Sequence, residues 1–403
     1  MRASHTKTGI PLTLLLIGLV LSAVNMRSPI VMIGSVAPTF YDALKLSPAH
    51  IGYLGALPMP LFAVGALIAP RFASRFGLET MMLMMTALLT LSVASRVWFG
   101  VSGLFVGTFF LSFAIGMLNA LTAPFIKKHA PNHIALATGV FSLSMSLFAG
   151  VSAWVVIPMM TVVSWQIALS SWALFGILTV MIWQWVKNHT PTISPAQSNT
   201  QAPPFNPWRN KDAWYLGVFM GIQSFLFYSV ASFLPSIGIG YGLTDTAASE
   251  LALTFQVVAP LAIFLLTFLI KRNLSIRLIA ISSAALNVIG TAGLIWLPNW
   301  LHLWSAVMGF GGAAIFTLSL MLFSMRTHHF GSARDLSGMA QAVGYAVAFF
   351  GPLGLGKLFE LSQSWQLPLY VLFGAMVVNV GFGYLAGSGD KVDGPQKQID
   401  GKF

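Results

Sequence analysis

The chain consists of long apolar runs separated by short polar loops, and this pattern constrains its fold more than any other feature. Of its 403 residues, 56% are hydrophobic and only 8% are charged, whereas soluble domains carry about 25% charged residues. An apolar run of about 20 residues can cross a bilayer as a helix. The pattern therefore predicts an all-α membrane protein with twelve transmembrane helices, at 11–40, 48–69, 79–97, 101–126, 134–160, 164–186, 213–240, 246–270, 275–297, 300–324, 335–360 and 365–387.

A polar, proline-rich stretch divides these spans into two groups of six. Residues 187–212 contain five prolines and predict a flexible linker. We therefore expect an N-terminal six-helix bundle at 1–186 and a C-terminal six-helix bundle with a short polar tail at 213–403. Seventeen of the 21 lysines and arginines fall on the linker side of the predicted membrane, and three on the other. By the positive-inside rule, the linker and both termini face the cytoplasm of a bacterial inner membrane.

The remaining arginine, Arg27, lies inside the first apolar run, which has no acidic residue between positions 11 and 40. A charged side chain at the centre of a bilayer costs roughly 2.5–3.5 kcal/mol on insertion scales. Arg27 therefore needs a buried partner, a water-filled cavity or an anionic ligand. We favour a ligand, because ionisable residues within membranes usually serve function. The alternative is structural, since Pro29 frees the carbonyl of Asn25, which an arginine can bind. Asn25 itself lies on another face, where we expect an interhelical bond.

The distribution of reactive residues argues against several classes of protein. None of the ten acidic residues and none of the eight histidines lies at the middle of a predicted span, and cysteine is absent. We find no catalytic constellation and predict no metal, no cofactor and no enzyme activity. The net charge of +11 does not indicate nucleic acid, because the basic residues are scattered over many loops. The expected partners are the lipid bilayer and a small anionic molecule bound by a monomer.

Polar side chains within other spans predict a cavity near mid-depth between the halves, reached by spans 1, 4, 5, 7, 8, 10 and 11. Besides Arg27, the candidate substrate-binding residues are Asn119, Gln223, Ser224, Tyr228, Gln341 and Tyr345. The alternative for each is close helix packing or an interhelical hydrogen bond. Aromatic residues such as Phe62, Phe141, Phe227 and Phe316 are candidates to stack on a planar substrate.

Two pseudo-symmetric six-helix bundles joined by a cytoplasmic linker resemble the major facilitator architecture. In that superfamily the loop after the second span typically carries a Gly-x-x-x-Asp-Arg-x-Gly-Arg motif. Here Arg75 and Gly77 match it, but the first glycine and the aspartate are missing. The resemblance implies that Arg71 and Arg75 are gate residues that do not bind substrate.

Several runs are similar to the cyanate-permease branch of this superfamily, which includes 2-nitroimidazole transporters. They are Asn25–Pro29, Pro124–Lys128, Gln223–Tyr228, Phe233–Pro235 and Leu336–Tyr345, the last continuing to Gly351 and Pro352. The resemblance spans nearly the whole chain and leans towards the nitroimidazole transporters. It implies a small planar substrate with a nitro or carboxylate group, or cyanate, and the planar fork of an arginine matches such acceptors bidentately.

The sequence thus favours a secondary active transporter of a small planar anion or a nitro compound. One alternative is a broad-specificity drug efflux pump. Exporters of cations favour embedded acidic residues, and the Gly-x-x-x-Gly-Pro pattern of many proton antiporters is absent from the fifth span. Another alternative is a membrane receptor that does not transport, although receptors usually carry a soluble domain.

Overall fold

The computed structural model describes residues 10–46, 48–190, 205–389 and 391–394. Within them, twelve helices are long and apolar enough to cross a membrane. The N-terminal bundle contains span 1 at Leu12–Ser35, span 2 at Pro58–Phe76, span 3 at Leu78–Ser95, span 4 at Gly100–His129, span 5 at Ile134–Val162 and span 6 at Ala173–His189. Shorter helices at Ala37–Leu44, Pro48–Ala56 and Trp165–Ser170 complete this half.

The C-terminal bundle repeats this plan. It contains span 7 at Lys211–Gly240, span 8 at Asp245–Val257 and Ala259–Lys271, span 9 at Ile276–Trp296, span 10 at Leu301–Met325, span 11 at Phe330–Ser362 and span 12 at Gln366–Ala386. Single turns of 3-10 helix at Pro131–His133, Pro207–Arg209 and Pro298–Trp300 join neighbouring elements. Most of the expected linker, 191–204, lies outside the described residues.

Several differences between the predicted and observed helix ends occur at prolines. Span 2 was expected to end before Pro70, yet its helix continues through that residue to Phe76. Membrane helices tolerate proline because neighbouring helices and side chains satisfy the freed backbone groups. The helix ends instead at Gly77, whose φ of 88° is in the left-handed region that glycine tolerates. Elsewhere proline does interrupt a predicted helix, before Pro58 in span 2 and before Pro260 in span 8.

The two halves are packed together at one end of the molecule, which we call the basic end because it holds Arg71, Arg75, Lys127, Lys128 and Lys271. Span 2 packs on span 11, span 5 on span 8, and span 4 on spans 10 and 11. Contacts 2–11 and 5–8 are equivalent under the exchange of the two halves. The approach is close: a Cβ on Gly338 would lie 2.3 Å from the ring of Pro70.

Hydrogen bonds across the halves strengthen this closure. Lys127 at the end of span 4 donates to the backbone carbonyl of Ser324 at 2.7 Å, and also to that of Thr327. In return, the Ser324 hydroxyl donates to the carbonyl of Ala123 at 2.7 Å. Lys127 therefore helps to satisfy the carbonyl of Ser324, one of the last four of span 10, which a helix end leaves without an intrahelical partner.

The hydrophobic core shows where this closure stops. One cluster of buried side chains is continuous between the halves and includes Leu118 and Phe125 from span 4 with Phe323 and Leu336 from spans 10 and 11. A second cluster, which includes Leu234 and Leu369, lies wholly within the C-terminal half at the opposite end. The described core thus joins the bundles at the basic end, and their far ends pack separately.

Candidate substrate-binding site

A cavity of about 90 Å³ lies between the two halves at mid-depth, above the closed basic end. Its walls come from spans 1, 4, 5, 7, 8, 10 and 11, together with Phe62 of span 2. The polar and charged lining residues are Arg27, Asn119, Ser142, Ser146, Gln223, Ser224, Tyr228, Gln256, Thr317 and Tyr345. Apolar and aromatic side chains form the remainder, as is typical of small-molecule sites.

Arg27 is the single charged side chain in this described lining. It lies roughly two-thirds of the way along the first helix, half-buried, with its guanidinium carbon 4.9 Å from the centre of the Phe227 ring. A cation over an aromatic face is stabilised by the ring's quadrupole. The guanidinium also interacts with the hydroxyl of Tyr228. Span 7 therefore provides both neighbours of this charge, across the interface from span 1.

Tyr345 reaches the cavity from span 11 and is held there by the N-terminal half. Asn119 donates its side-chain N–H to the Tyr345 hydroxyl at 3.1 Å, and the Phe62 ring lies 5.2 Å from the Tyr345 ring. Arg27 and Tyr228 are both close enough to interact electrostatically with Tyr345. The four polar residues Arg27, Asn119, Tyr228 and Tyr345 thus form the polar floor of the cavity.

The hydrogen-bond directions of this polar floor favour a negatively charged ligand. A phenol oxygen can accept hydrogen bonds and donate its own proton. The Tyr345 oxygen already accepts from Asn119, and the Tyr228 oxygen already faces the donor groups of Arg27. In the described hydrogen bonds neither hydroxyl proton is donated. Two phenol protons and the guanidinium are therefore available for an anion.

The other predicted site residues divide into two groups. Gln223 and Ser224 line the cavity, and the Ser224 hydroxyl donates to the Gln223 amide oxygen at 3.3 Å. Gln341 is fully buried outside the cavity lining, where its amide donates to the Asn119 carbonyl at 2.9 Å and to the Ser337 hydroxyl at 3.0 Å. It therefore braces the position of Asn119 across the two halves. Phe141 is also buried away from the cavity, whereas Phe62, Phe227 and Phe316 line it.

The structure adds residues that the sequence did not single out. Ser142 and Thr317 face the cavity with buried hydroxyls that bond to nothing in the described structure, as does the Asn119 amide oxygen. Phe255 and Met145 contribute apolar surface. Serine, threonine and phenylalanine recur in many of the spans, so no sequence signal separates these positions from packing residues.

The two arginines that the sequence predicts to be gate residues lie outside the cavity lining. Arg71 and Arg75 are exposed at the basic end, and Arg75 stacks on Phe76 at 5.4 Å. Arg71 lines a separate surface pocket with Arg334 and Asp335 of span 11. Neither contributes to the lining of the central cavity.

The hydrogen bonds of span 1 bear on the structural alternative for Arg27. Asn25 donates to Thr179 of span 6 at 3.2 Å, which is the interhelical bond expected from the sequence. No described hydrogen bond runs from Arg27 to a backbone carbonyl of its own helix. Instead, Arg96 at the end of span 3 donates to the carbonyl of Pro29 at 2.7 Å. A different arginine therefore binds the backbone of this proline-containing segment.

The described carboxylates lie elsewhere, and three of them form ion pairs. Glu79 accepts Lys128 at 2.6 Å and His129 at 2.8 Å at the basic end. Asp335 pairs with Arg334, and Glu360 pairs with Lys357 on the far surface. Among the described residues, no group of three or more potential ligands can hold a metal ion.

A central cavity between two six-helix bundles, closed at one end, is the arrangement of a secondary transporter that works by alternating access. Residues 15–352 match the family model of the Major Facilitator Superfamily. Since this match covers most of the chain, the protein belongs to the Major Facilitator Superfamily. It is a multi-pass membrane transporter and not an enzyme.

Relatives and solved structures agree with this assignment. The chain is 30% identical to the "Uncharacterized transporter YycB" of Bacillus subtilis (strain 168), over 95% of this chain and 96% of that one. It is 28% identical to the "2-nitroimidazole transporter" of Escherichia coli (strain K12), over 96% and 98%. It is 25% identical to the "Cyanate transport protein CynX" of the same organism, over 91% and 97%. These relatives support the predicted branch. The fold is similar to that of the proton:xylose symporter XylE, with a TM-score of 0.74, 12% identity and coverage of 94% and 96%.

Proposed function

We propose that this protein is a secondary active transporter of a small planar anion, or of a small planar compound that carries a nitro or carboxylate group. The observation that carries this proposal is the polar floor, where one unpaired arginine and two tyrosine hydroxyls present donors to the cavity. A guanidinium binds a carboxylate or nitro group through two parallel hydrogen bonds, which a lysine cannot do. The relatives named for 2-nitroimidazole and for cyanate support the same chemistry.

The roles of the other residues follow from their places in the cavity. Arg27 binds the two coplanar oxygens, and Tyr228 and Tyr345 donate to the same group. Phe227 and Phe316 offer ring faces on which a planar substrate stacks. The free Asn119 oxygen is an acceptor and suits a ring N–H of the substrate. Gln223 and Ser224 border the site, and Gln341 acts through Asn119 by fixing its position.

Transport requires the cavity to open to each side of the membrane in turn. With the linker and termini in the cytoplasm of a bacterial inner membrane, the closed basic end faces inward and the described state faces outward. The two halves, 1–186 and 213–403, then rock about the substrate, with 187–212 as the connection between them. Arg71 and Arg75 belong to the inner gate at the interface of spans 2 and 11. We propose that the monomer is the transporting unit.

A binding panel tests the function directly. The purified chain is heated in detergent, in separate samples, with each of five compounds: benzoate, cyanate, 2-nitroimidazole, a neutral sugar and a quaternary ammonium ion. We expect saturable increases in melting temperature for the first three compounds only, because ligands that bind the folded state raise its stability. Stabilisation by the ammonium ion alone would instead favour a cation exporter and would contradict the proposal.

A further inference from the structure

The charge balance of the cavity bears on how the carrier returns after it has released its substrate. Arg27 is the single charged residue of the described lining, and none of the described carboxylates forms an ion pair with it. Its neighbours, Phe227 and Tyr228, are neutral. The empty site therefore carries one uncompensated positive charge.

Alternating access passes through an occluded state in which the site is closed on both sides. With an anion bound, the closed site holds a compensated pair of charges. Without one, closure removes Arg27 from water and leaves it without a counter-ion, which is far more costly than burying a pair. The wall contributed by the C-terminal half carries Phe227, Phe255 and Phe316 together with neutral polar side chains, and its described lining has no carboxylate that could compensate Arg27.

We propose that the protein is an obligatory exchanger of monovalent anions, whose empty form does not reorient because Arg27 has no counter-ion among the described residues. This inference rests on the proposed function, since it takes Arg27 as the substrate site. One monoanion leaves for each monoanion that enters, so the exchange moves no net charge. A dedicated proton site is unnecessary for such a cycle.

The test uses the full-length protein in liposomes loaded with radiolabelled benzoate, with gluconate as the only other anion. Efflux is measured at pH 8 into medium with or without unlabelled benzoate, and the leak from protein-free liposomes is subtracted. We expect exchange to exceed net efflux by roughly 100-fold, which corresponds to about 2.7 kcal/mol of additional barrier. Equal rates would overturn the proposal.

A membrane potential supplies a second arm of the test. Potassium gradients with valinomycin set the liposome interior positive or negative. Exchange of benzoate for benzoate should proceed at the same rate under both conditions. Net accumulation of benzoate beyond that in protein-free liposomes, driven by an inside-positive potential or by a pH gradient alone, would show that the empty carrier returns, and would refute obligatory exchange.

A carboxylate introduced beside Arg27 should allow the empty carrier to reorient. Gln223 lines the cavity one helical turn before Phe227, the ring beneath Arg27. In Gln223→Glu, the new carboxylate compensates Arg27 in the empty site, so net efflux should rise at least tenfold while exchange falls. Gln223→Met is the matched control, because it removes the amide without adding charge. Because Gln223 lines the site, the control should slow exchange and net efflux by the same factor, so that their ratio stays that of the wild type. A Gln223→Glu ratio equal to that of the control would count against the charge argument.

The results that would refute obligatory exchange differ from those that would refute the proposed anion transport. If benzoate and cyanate neither stabilise the protein nor move through it, both proposals are wrong. If they bind and are carried out of the liposomes equally fast with and without an external anion, the protein is an anion transporter but not an obligatory exchanger.

Discussion

Two arginines of the N-terminal half meet the same proline-containing segment of span 1, Arg27 as a member of it and Arg96 through a hydrogen bond, and their environments are opposite. Arg27 is half-buried and opens on the central cavity, with an aromatic ring and a tyrosine hydroxyl beside it. Arg96 is 1% exposed and donates to the carbonyl of Pro29. The two charges are therefore both embedded, but only one is available to a ligand.

The difference shows that an embedded arginine is not by itself a binding site. Arg96 is enclosed by span 4, because a Cβ on Gly107 would lie 2.2 Å from the Arg96 Cβ. Its Nε and Nη1 atoms have no described partner, yet Arg96 does not line the central cavity. What distinguishes Arg27 is access to that cavity and the convergence of other donors upon it.

The largest effect should follow from changing Arg27. Arg27→Ala and Arg27→Lys should each weaken benzoate binding about 100-fold, since two charge-assisted hydrogen bonds of about 1.5 kcal/mol each are lost or misaligned. The melting temperature of Arg27→Ala should stay the same or rise, because this change removes an uncompensated charge from the membrane interior. Isothermal titration and thermal unfolding in the same detergent check both statements. A well-folded Arg27→Ala protein with unchanged affinity would end the anion-site hypothesis.

Loss of a single neutral donor should have an intermediate effect. Tyr228→Phe and Tyr345→Phe each remove one hydroxyl and keep the ring. We expect each to weaken benzoate binding about fivefold to tenfold, corresponding to a net hydrogen bond of about 1–1.4 kcal/mol. Tyr215→Phe is the control, because Tyr215 packs on Phe382 outside the cavity lining. Equal affinities for all three variants would remove the tyrosines from the site.

Arg96 should tolerate replacement by an apolar side chain of similar length. Replacing buried charges with apolar residues is often neutral or stabilising. Arg96→Met should therefore change benzoate affinity less than about threefold, and its melting temperature should not fall. Arg96→Ala serves as the comparison and should unfold earlier, since large-to-small core changes cost about 2–5 kcal/mol. A large loss of affinity in a stable Arg96→Met protein would instead show that Arg96 positions Arg27 through Pro29.

The smallest expected effect is that of pH. Among the described lining residues there is no aspartate, glutamate, histidine or lysine. Benzoate affinity should therefore remain constant between pH 6 and pH 8, the range in which histidine usually titrates. Titrations at three pH values in this range check it. A tenfold change per pH unit would reveal proton-coupled binding by a group outside the described lining.

The sequence by itself determined the number of spans, the membrane class and the prominence of Arg27. These features depend on local chemistry, namely the hydrophobic length needed to cross a bilayer and the cost of an embedded charge. Helix ends were less predictable, as Pro70 and Pro58 illustrate. The same residue type continues one helix and interrupts another, because the outcome depends on what neighbouring helices offer to the freed backbone groups.

Only the tertiary structure decided which polar side chains meet. Gln341 and Tyr345 are one helical turn apart, yet one is buried against Asn119 and the other faces the cavity. Gly217 and Gly221 lie on the same face of span 7 as Ser224 and Tyr228. The two glycines nevertheless pack against span 11, at Ala340 and Gly344. Helical periodicity predicts which residues lie on the same face of a helix. It does not predict at what depth along the helices the two bundles separate to form the cavity. That depth is set by the packing of the two halves at the basic end.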